Sequence, residues 1–486
     1  MSVSRNAGYN FAGAVVPVIV AFVTVPIYLK LVGPDRYGVL SIAWLLLGYF
    51  GLFDLGLGRA TSFRIAALRD APPAQRARTF WAALIVNTGM GLVGAAVLWA
   101  AAAWFFAYVF KVQASLRPEI MRSVPLLAAS VPVATVAGVL TGALQGRERF
   151  LETNAVSTLS TGLFQILPLA VAWRYGPDLV LLLSAALAAR LLALVVLGYS
   201  CYAEFCRGHK PELETAEVVT LLKYGGWVTV TSIFGPFLVI SDRFFIGGVL
   251  GAVAVAVYSI PYQLAKQVAL IPSSLTNALF PRLAAASPGE QNAMGEQATR
   301  ILASMMTLPV LGAVFLVDAF LHLWIGHRIG AQSAPVARVL LIGFWANGFA
   351  LVPFTRLQAG GRPDLVTKVL LAEIPLYLLG LYLAMTAFGL VGAAAVLALR
   401  FIVDYALLTF VSGRNFSAWP TLTANFALLL AGDWLAGQWS IDDWRWWASA
   451  VVTGAAVSAV AWLGLPAPLR GQIGQRIAGR LSPRRS

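Results

Sequence analysis

Charged residues are scarce in this chain of 486 residues. Asp, Glu, Lys and Arg make up 12% of it, whereas hydrophobic residues make up 59% and the mean hydropathy is +0.78. Soluble globular domains carry about 25% charged residues, so this composition excludes an ordinary water-soluble protein. We therefore expect the chain to spend most of its length in lipid.

Cysteine and histidine are almost missing. Cys201 and Cys206 are too few for a disulfide framework, and His209, His322 and His327 have neither HExxH spacing nor a cysteine partner for zinc. The sequence also lacks a nucleophile elbow and a phosphate-binding glycine loop. These absences predict no metal site, no cofactor and no enzymatic activity.

Apolar runs long enough to cross a membrane fill most of the chain. A spanning helix needs about 20 apolar residues, and we count roughly fourteen such runs. The first run lacks a small-residue cleavage site, so we expect it to stay in place as a membrane helix. The predicted fold class is therefore an all-α integral membrane protein. The runs lie near residues 10–32, 38–58, 80–108, 119–143, 150–174, 178–203, 224–249, 252–281, 299–325, 332–355, 365–387, 389–411, 418–437 and 444–465.

The first half of the chain reappears in the second half about 218 residues later. The aligned pairs include Arg5 with Lys223, Gly8 with Gly226, Gly33 with Gly251, Ser41 with Ser259 and Arg64 with Arg282. The repeat predicts two six-helix lobes at 1–210 and 211–414, an extra helix pair at 415–465 and a basic cytoplasmic tail at 466–486. Two such lobes can open a central cavity alternately to each side of a membrane, so the pattern predicts a transporter.

The net charge of +14 would by itself also suit a nucleic-acid-binding protein. With the N-terminus placed inside, however, most Lys and Arg residues fall in connections on the cytoplasmic side, as the positive-inside rule requires. They concentrate after the second span, from Arg59 to Arg78, and in the tail. The distribution predicts cytoplasmic N- and C-termini, contact with anionic membrane lipids and no nucleic-acid partner.

Several ionisable residues lie inside or at the ends of the predicted spans, where a charge disfavours insertion by roughly 2.5 to 3.5 kcal/mol. Such residues need a partner, a watery cavity or a ligand. The cationic members are Arg59, Arg190, Arg243, Lys266 and Arg400, and the acidic members are Asp54, Asp242 and Asp404. We take the cations as candidate substrate-binding residues and the carboxylates as candidate ion-coupling residues.

Structural roles compete with these functional ones. Arg400 and Asp404 share a helix face and could neutralise each other. Arg243, beside Asp242, could extend to the headgroups, and Arg190 could be held by backbone carbonyls or by Asp404. Lys266 has no acidic residue within a helical turn in sequence, so it needs water, a remote partner or a ligand.

Short motifs identify a family. Leu52-Phe53-Asp54-Leu55-Gly56-Leu57-Gly58 resembles a sequence common in Wzx-type flippases of lipid-linked oligosaccharides, members of the multidrug/oligosaccharidyl-lipid/polysaccharide exporter superfamily. Asp242-Arg243 ahead of Gly247-Gly248, and then Tyr258-Ser259, is similar to that family's passage from helix seven to helix eight. Leu144-Gln145-Gly146-Arg147 and Gln358-Ala359-Gly360-Gly361-Arg362 resemble its paired inner loops. The resemblance covers residues 5 to about 412.

The resemblance implies a bacterial inner-membrane flippase that carries an undecaprenyl-pyrophosphate-linked glycan from the cytoplasmic to the outer leaflet. It implies that the cationic residues in the spans bind the pyrophosphate and acidic sugars, and that H⁺ or Na⁺ at a carboxylate, or the membrane potential, drives the return of the empty carrier. Other polysaccharide assembly proteins are possible partners.

Three alternatives stay open at this point. A multidrug or cation antiporter of the same superfamily would need an acidic cavity, whereas the charges inside these spans are mostly positive. A lipid II flippase is equally compatible with the sequence. A multispan glycan polymerase or ligase would need a large outer catalytic loop, and none of the predicted outer connections exceeds about 15 residues.

Overall fold

The computed structural model describes residues 3–48, 57–207, 238–413, 418–465 and 470–471. Every regular element in these ranges is a helix, which confirms the predicted all-α class. Asp54, the predicted lobe boundary at residue 210 and almost all of the basic tail lie outside the described residues.

The N-terminal part contains eight described helices. They are α1 (Val3–Val32), α2 (Pro34–Gly48), α3 (Leu57–Ala67), α4 (Pro73–Trp104), α5 (Arg117–Gly146), α6 (Phe150–Tyr175), α7 (Leu179–Cys201) and α8 (238–249). Single π-helical turns extend α4 through Phe105–Val109 and α7 through Tyr202–Cys206. The side chain of Asp178 caps α7 by accepting hydrogen bonds from the amides of Val180 and Leu181, which fixes where that helix begins.

The C-terminal part continues with long helices. They are α9 (Ala252–Ala265), α10 (Leu270–Ala285), α11 (Pro288–Ile325), α12 (His327–Ala359), α13 (Pro363–Val411), α14 (Trp419–Ala436) and α15 (Trp444–Gly464). A 3₁₀ turn, Lys266–Ala269, separates α9 from α10. Gly389 bends α13 sharply with φ 61° and ψ −143°, so that its two arms pack against each other.

The helices match most of the predicted spans, and eight of those described are long and apolar enough to cross a membrane. Two details differ from the predicted arrangement. Arg59 and Arg64 lie on α3 and not in a connection, because helical hydrogen bonding continues past the point where the apolar run ends. The run at 252–281 is broken at Lys266 by the 3₁₀ turn.

The chain divides into two compact units, an N-terminal unit, Met1–Ala256, and a C-terminal unit, Val257–Ser486. Within the C-terminal unit α12 is central, since 72% of the residues in its most apolar stretch are buried. It packs against α10, α11 and α13. Within the N-terminal unit α4 is peripheral. Only 11% of the residues in its most apolar stretch are buried, and large apolar side chains such as Trp99 are exposed. An exposed apolar surface of this extent is expected of a helix that faces lipid.

Close helix packing in the N-terminal unit depends on the glycines of α5. A Cβ atom added to Gly142 would lie 2.1 Å from the carbonyl oxygen of Gly58, and one added to Gly146 would lie 2.8 Å from that of Ser62. Small residues let two membrane helices approach this closely, so α3 and α5 meet backbone to backbone.

Glycines with positive φ occupy matching places in the two halves of the sequence repeat. Gly33 (φ 82°) separates α1 from α2, and Gly251 (φ 93°) separates α8 from α9. Gly176 (φ 93°) follows α6, and Gly389 (φ 61°) divides the two arms of α13. A side chain would be strained in these conformations, so the turns that separate successive helices are repeated with the helices themselves.

Candidate functional site

A half-buried cation with no carboxylate partner among the described residues lies among α5, α6 and α7. Arg190 projects from α7, and its Nη1 donates to the hydroxyl of Ser160 on α6 across 3.5 Å. Its guanidinium carbon lies 4.6 Å from the centre of the Phe164 ring. Its Nε atom is buried without a hydrogen-bond acceptor. Within the described part of the N-terminal unit no carboxylate pairs with this arginine, so its charge is available to an anion.

Arg190 is part of the wall of a cavity of about 130 Å³. Hydroxyl groups form much of the rest of its polar lining, and they come from Ser130, Thr141, Thr153, Ser157 and Ser160. A guanidinium presents five N–H donors in a planar fork that suits phosphate and carboxylate groups. The combination of one unpaired guanidinium with neutral hydroxyls is therefore suited to an anionic group rather than a cation.

The C-terminal unit contains a related cluster with the opposite charge balance. Arg400 Nε lies 3.2 Å from Glu373 Oε2, and both side chains are mostly buried. Asp404, one turn after Arg400, lies close enough to interact with both of them. The guanidinium carbon lies 5.3 Å from the centre of the Tyr377 ring. Two carboxylates therefore surround a single guanidinium.

This cluster adds a third member to the pair of Arg400 and Asp404 that the sequence suggested. The ion pair of Arg400 forms with Glu373, which lies 27 residues earlier in sequence and was not among the candidate residues. Glu373 is an ionisable residue ten positions into an apolar helix, so the same criterion that selected Asp404 could have found it. Its role as a partner could not be read from spacing, because it lies on the other arm of α13.

Asp242 and Arg243 form a buried ion pair, which corrects the expectation that Arg243 could extend to the headgroups. Their side chains are 1% and 2% exposed, and Arg243 Nη1 lies 2.7 Å from Asp242 Oδ1. The same Nη1 donates to the carbonyl oxygen of Val239. A pair this well enclosed is part of the packing of α8 and offers little of its charge to a ligand.

The remaining predicted residues are not brought together with these clusters. Lys266 is exposed and begins the 3₁₀ turn between α9 and α10. Arg59 lies on α3, and its side chain, like all of Asp54, lies outside the described residues. No group of three metal-ligating side chains occurs in the part of the chain that the structure describes.

Ion pairs tie together one end of the N-terminal unit. Arg147 Nε lies 3.0 Å from Glu204 Oε1, and Arg149 Nη2 lies 2.7 Å from Glu152 Oε2. Arg69 and Glu148 form an exposed pair at 3.1 Å. These three arginines are compensated by their neighbours, whereas Arg190 has no carboxylate partner among the described residues.

A family model described as polysaccharide biosynthesis protein matches residues 3–287, more than half of the chain. The chain belongs to this family. This finding confirms the family that the short motifs predicted. A Shigella flexneri protein named "Putative O-antigen transporter" is 28% identical over 440 residues, covering 86% of this chain and 100% of that protein.

Solved structures share the fold at low sequence identity. A multidrug resistance MATE family transporter of the MOP superfamily, in an inward-facing conformation, matches with a TM-score of 0.69 and 15% identity, over 83% of this chain and 97% of its own. The lipid II flippase MurJ, in an inward closed conformation, matches with a TM-score of 0.69 and 12% identity, over 93% and 97%. At these identities the likeness establishes the fold alone. The Shigella flexneri protein is named as a transporter, and the two structures are those of a transporter and a flippase.

Proposed function

We propose that the protein is a flippase that moves a lipid-linked oligosaccharide across a membrane by alternating access. Membership of the polysaccharide biosynthesis family supports this function, as does similarity to a protein named for O-antigen transport. A fold shared with a drug transporter and a lipid II flippase supports the mechanism, because both kinds of protein move a cargo between the two sides of a membrane.

The environment of Arg190 is the observation that supports an anionic lipid-linked cargo. The anionic part of a polyprenyl-pyrophosphate-linked glycan needs a cationic, partly hydrated site, whereas its prenyl chain can stay in lipid. A guanidinium with an unused N–H donor, facing a cavity lined by hydroxyls, provides such a site. We assign the phosphate-binding role to Arg190 ahead of Arg59, Arg243, Lys266 and Arg400.

We extend the proposal to the finer features of the cargo and membrane. The lipid carrier is undecaprenyl pyrophosphate, and transport runs from the cytoplasmic to the outer leaflet of the bacterial inner membrane. The excess of basic residues in the connections on one side supports cytoplasmic N- and C-termini. Enzymes that build and polymerise the glycan are the expected partners, since they supply and consume the cargo.

We place ion coupling at the cluster of Glu373, Arg400 and Asp404. Two carboxylates beside one guanidinium leave a negative charge uncompensated in a mostly buried place, which favours binding of H⁺ or Na⁺. The alternative coupling residue Asp242 is already paired with Arg243. Uptake of the ion would favour one conformation of the carrier and so drive its return.

The test is transport in vesicles that contain the purified full chain. A fluorescent prenyl-pyrophosphate-linked oligosaccharide is placed on one leaflet, and its appearance on the other is measured by quenching from outside. Arg190→Ala should slow transport about 10- to 100-fold, because charge-assisted hydrogen bonds contribute roughly 1.5–3 kcal/mol. Arg174→Ala is the matched control, since Arg174 lies exposed at the end of α6.

Movement that is equal in the wild type and in Arg190→Ala would keep the flippase and remove the assigned anion site. Absence of glycolipid movement combined with efflux of a cationic dye would replace the flippase with a multidrug antiporter. Transport of lipid II with no transport of an oligosaccharide lipid lacking the peptide would identify a lipid II flippase.

A further inference from the structure

One face of α5 carries polar side chains that make no hydrogen bond within the described structure. Thr141 and Gln145 are four residues apart, so they lie on the same side of the helix. No side-chain hydrogen bond joins either of them to another described residue, and the same holds for Ser62 on α3. These groups are available to something other than the protein.

A hydroxyl without a hydrogen bond is unusual in an apolar helix, because serine and threonine side chains there normally donate to a carbonyl three or four residues earlier. Thr88 donates to Leu84 O across 2.6 Å, and Thr307 donates to Ala303 O across 2.7 Å. Thr409 donates in the same way to Tyr405 O. Thr141 has no such bond, although the carbonyl of Ala137 lies at the same spacing along its helix.

These side chains line a second cavity that adjoins the cavity of Arg190. It has a volume of about 590 Å³, within the range of about 300–1,000 Å³ that is usual for small-molecule sites. Thr141 and Ala137 belong to the walls of both cavities. A ligand whose charged group contacts Arg190 could therefore extend past Thr141 into the larger space.

The lining of the second cavity is suited to an uncharged, hydroxyl-rich ligand. No charged side chain is among its described lining residues, so it does not favour an ion. Ser62, Thr141 and Gln145 can each donate and accept hydrogen bonds. Phe63, which is 60% exposed, adds a flat apolar surface beside them. A sugar ring likewise combines hydrogen-bonding and apolar surfaces, because it has hydroxyl groups around its edge and C–H groups on its faces.

An apolar chain would not match this lining, because it would cover the hydroxyls and the amide without replacing their hydrogen bonds to water. A second phosphate would find no cation among the lining residues that the structure describes. We propose that this cavity is a sugar-binding subsite, in which Ser62, Phe63, Thr141 and Gln145 bind the sugar adjoining the phosphate held by Arg190. The inference rests on the proposed function, since it takes the ligand to be the glycan of the transported lipid.

The experiment compares two soluble probes for binding to the full chain in detergent. One is a short-chain prenyl pyrophosphate, and the other is the same molecule carrying a single sugar, tested as glucose, galactose and N-acetylglucosamine. We expect the wild type to bind at least one sugar probe about tenfold more tightly than the sugar-free probe, from two or three added hydrogen bonds.

The variant Thr141→Val combined with Gln145→Leu keeps side-chain size and removes the hydrogen-bonding groups. It should weaken the sugar probe more than the sugar-free probe and so bring the two Kd values together, although Thr141 also lines the cavity of Arg190. Thr88→Val is the matched control, because the hydroxyl of Thr88 is already bonded to its own helix. Thr141→Ser keeps a hydroxyl and should keep most of the preference. Arg190→Ala should weaken both probes and leave their ratio unchanged.

Each contrary result has a separate meaning. Equal Kd values for all probes in the wild type would overturn the sugar subsite and leave the anion site of the proposed function intact. A preference that survives in the double variant would overturn the assignment to Thr141 and Gln145. Failure of every probe to bind would overturn the anion site and the sugar subsite together.

Discussion

The two units contain the same three-residue arrangement with different charges. In the N-terminal unit it consists of Ser160, Phe164 and Arg190, and in the C-terminal unit it consists of Glu373, Tyr377 and Arg400. Ser160 and Glu373 each precede a positive-φ glycine of their unit by 16 residues, and the aromatic residue follows each of them by four. The arginines lie on the helix after that glycine.

The difference between Ser160 in one unit and Glu373 in the other therefore decides whether the charge of the arginine is available to a ligand. Beside a serine, Arg190 keeps its charge available to an external anion. Beside Glu373, Arg400 is neutralised, and Asp404 adds a second carboxyl group to the cluster. Duplication supplied the same framework twice, and a carboxylate in one copy separated a site suited to an anion from a site suited to a cation.

The comparison is tested most strongly by removing each arginine. Arg400→Ala leaves Glu373 buried without its cation, which should cost about 3–5 kcal/mol of stability. Arg190→Ala leaves no carboxylate behind and should cost much less. Thermal unfolding of both variants in one detergent measures the difference. Glu373→Gln combined with Arg400→Met should recover most of the loss, and equal unfolding temperatures for the two alanine variants would refute the asymmetry.

Ser160→Glu would convert the N-terminal arrangement into the C-terminal one. The new carboxylate would lie within reach of Arg190 and neutralise it, so transport should fall about 10- to 100-fold, as in Arg190→Ala. The vesicle assay measures this, with Ser160→Ala as the control that keeps the charge free. Undiminished transport by Ser160→Glu would show that the free charge of Arg190 is not needed.

Helix packing should also differ between the units. Gly142→Ala places a Cβ against the backbone oxygen of Gly58, which cannot move alone, so we expect a loss of about 1–3 kcal/mol. In Gly348→Ala the nearest atom to the added Cβ is the flexible end of the Met306 side chain, at 2.7 Å, so the loss of stability should be smaller. Unfolding midpoints of the two variants test this order, and a more damaging change at Gly348 would contradict it.

The smallest expected effect concerns the acceleration of transport by an ion gradient. Glu373→Gln removes one of the two carboxylates of the cluster, so an imposed H⁺ or Na⁺ gradient should accelerate transport less than in the wild type, by about a fewfold. Transport without a gradient should change little. The measurement is the ratio of rates with and without the gradient. A ratio equal to that of the wild type would remove coupling from this cluster.

Sequence reasoning found Arg190, Arg400 and Asp404 because an ionisable residue in an apolar run is visible without a structure. It passed over Ser160 and Phe164, since a serine and a phenylalanine in a membrane helix carry no such signal. Arg243, which the same reasoning selected, is paired with its neighbour Asp242 in the fold. Thr141 gave no signal either, and Gln145 entered only as part of a family motif with no role assigned to it. Only the cavity beside them distinguishes these two residues from other polar residues on a helix.

The order of amino acids is enough to specify a bundle of membrane helices with repeated halves. The physical reason is local: backbone groups in lipid must be satisfied within each segment, so every long apolar run becomes a helix. Which arginine is neutralised and which is free depends instead on contacts between distant segments. Arg190 and Ser160 lie 30 residues apart on different helices, and Arg400 and Glu373 lie 27 apart on two arms of α13. Only the packing of those helices brings each arginine to a hydroxyl in one unit and to a carboxylate in the other.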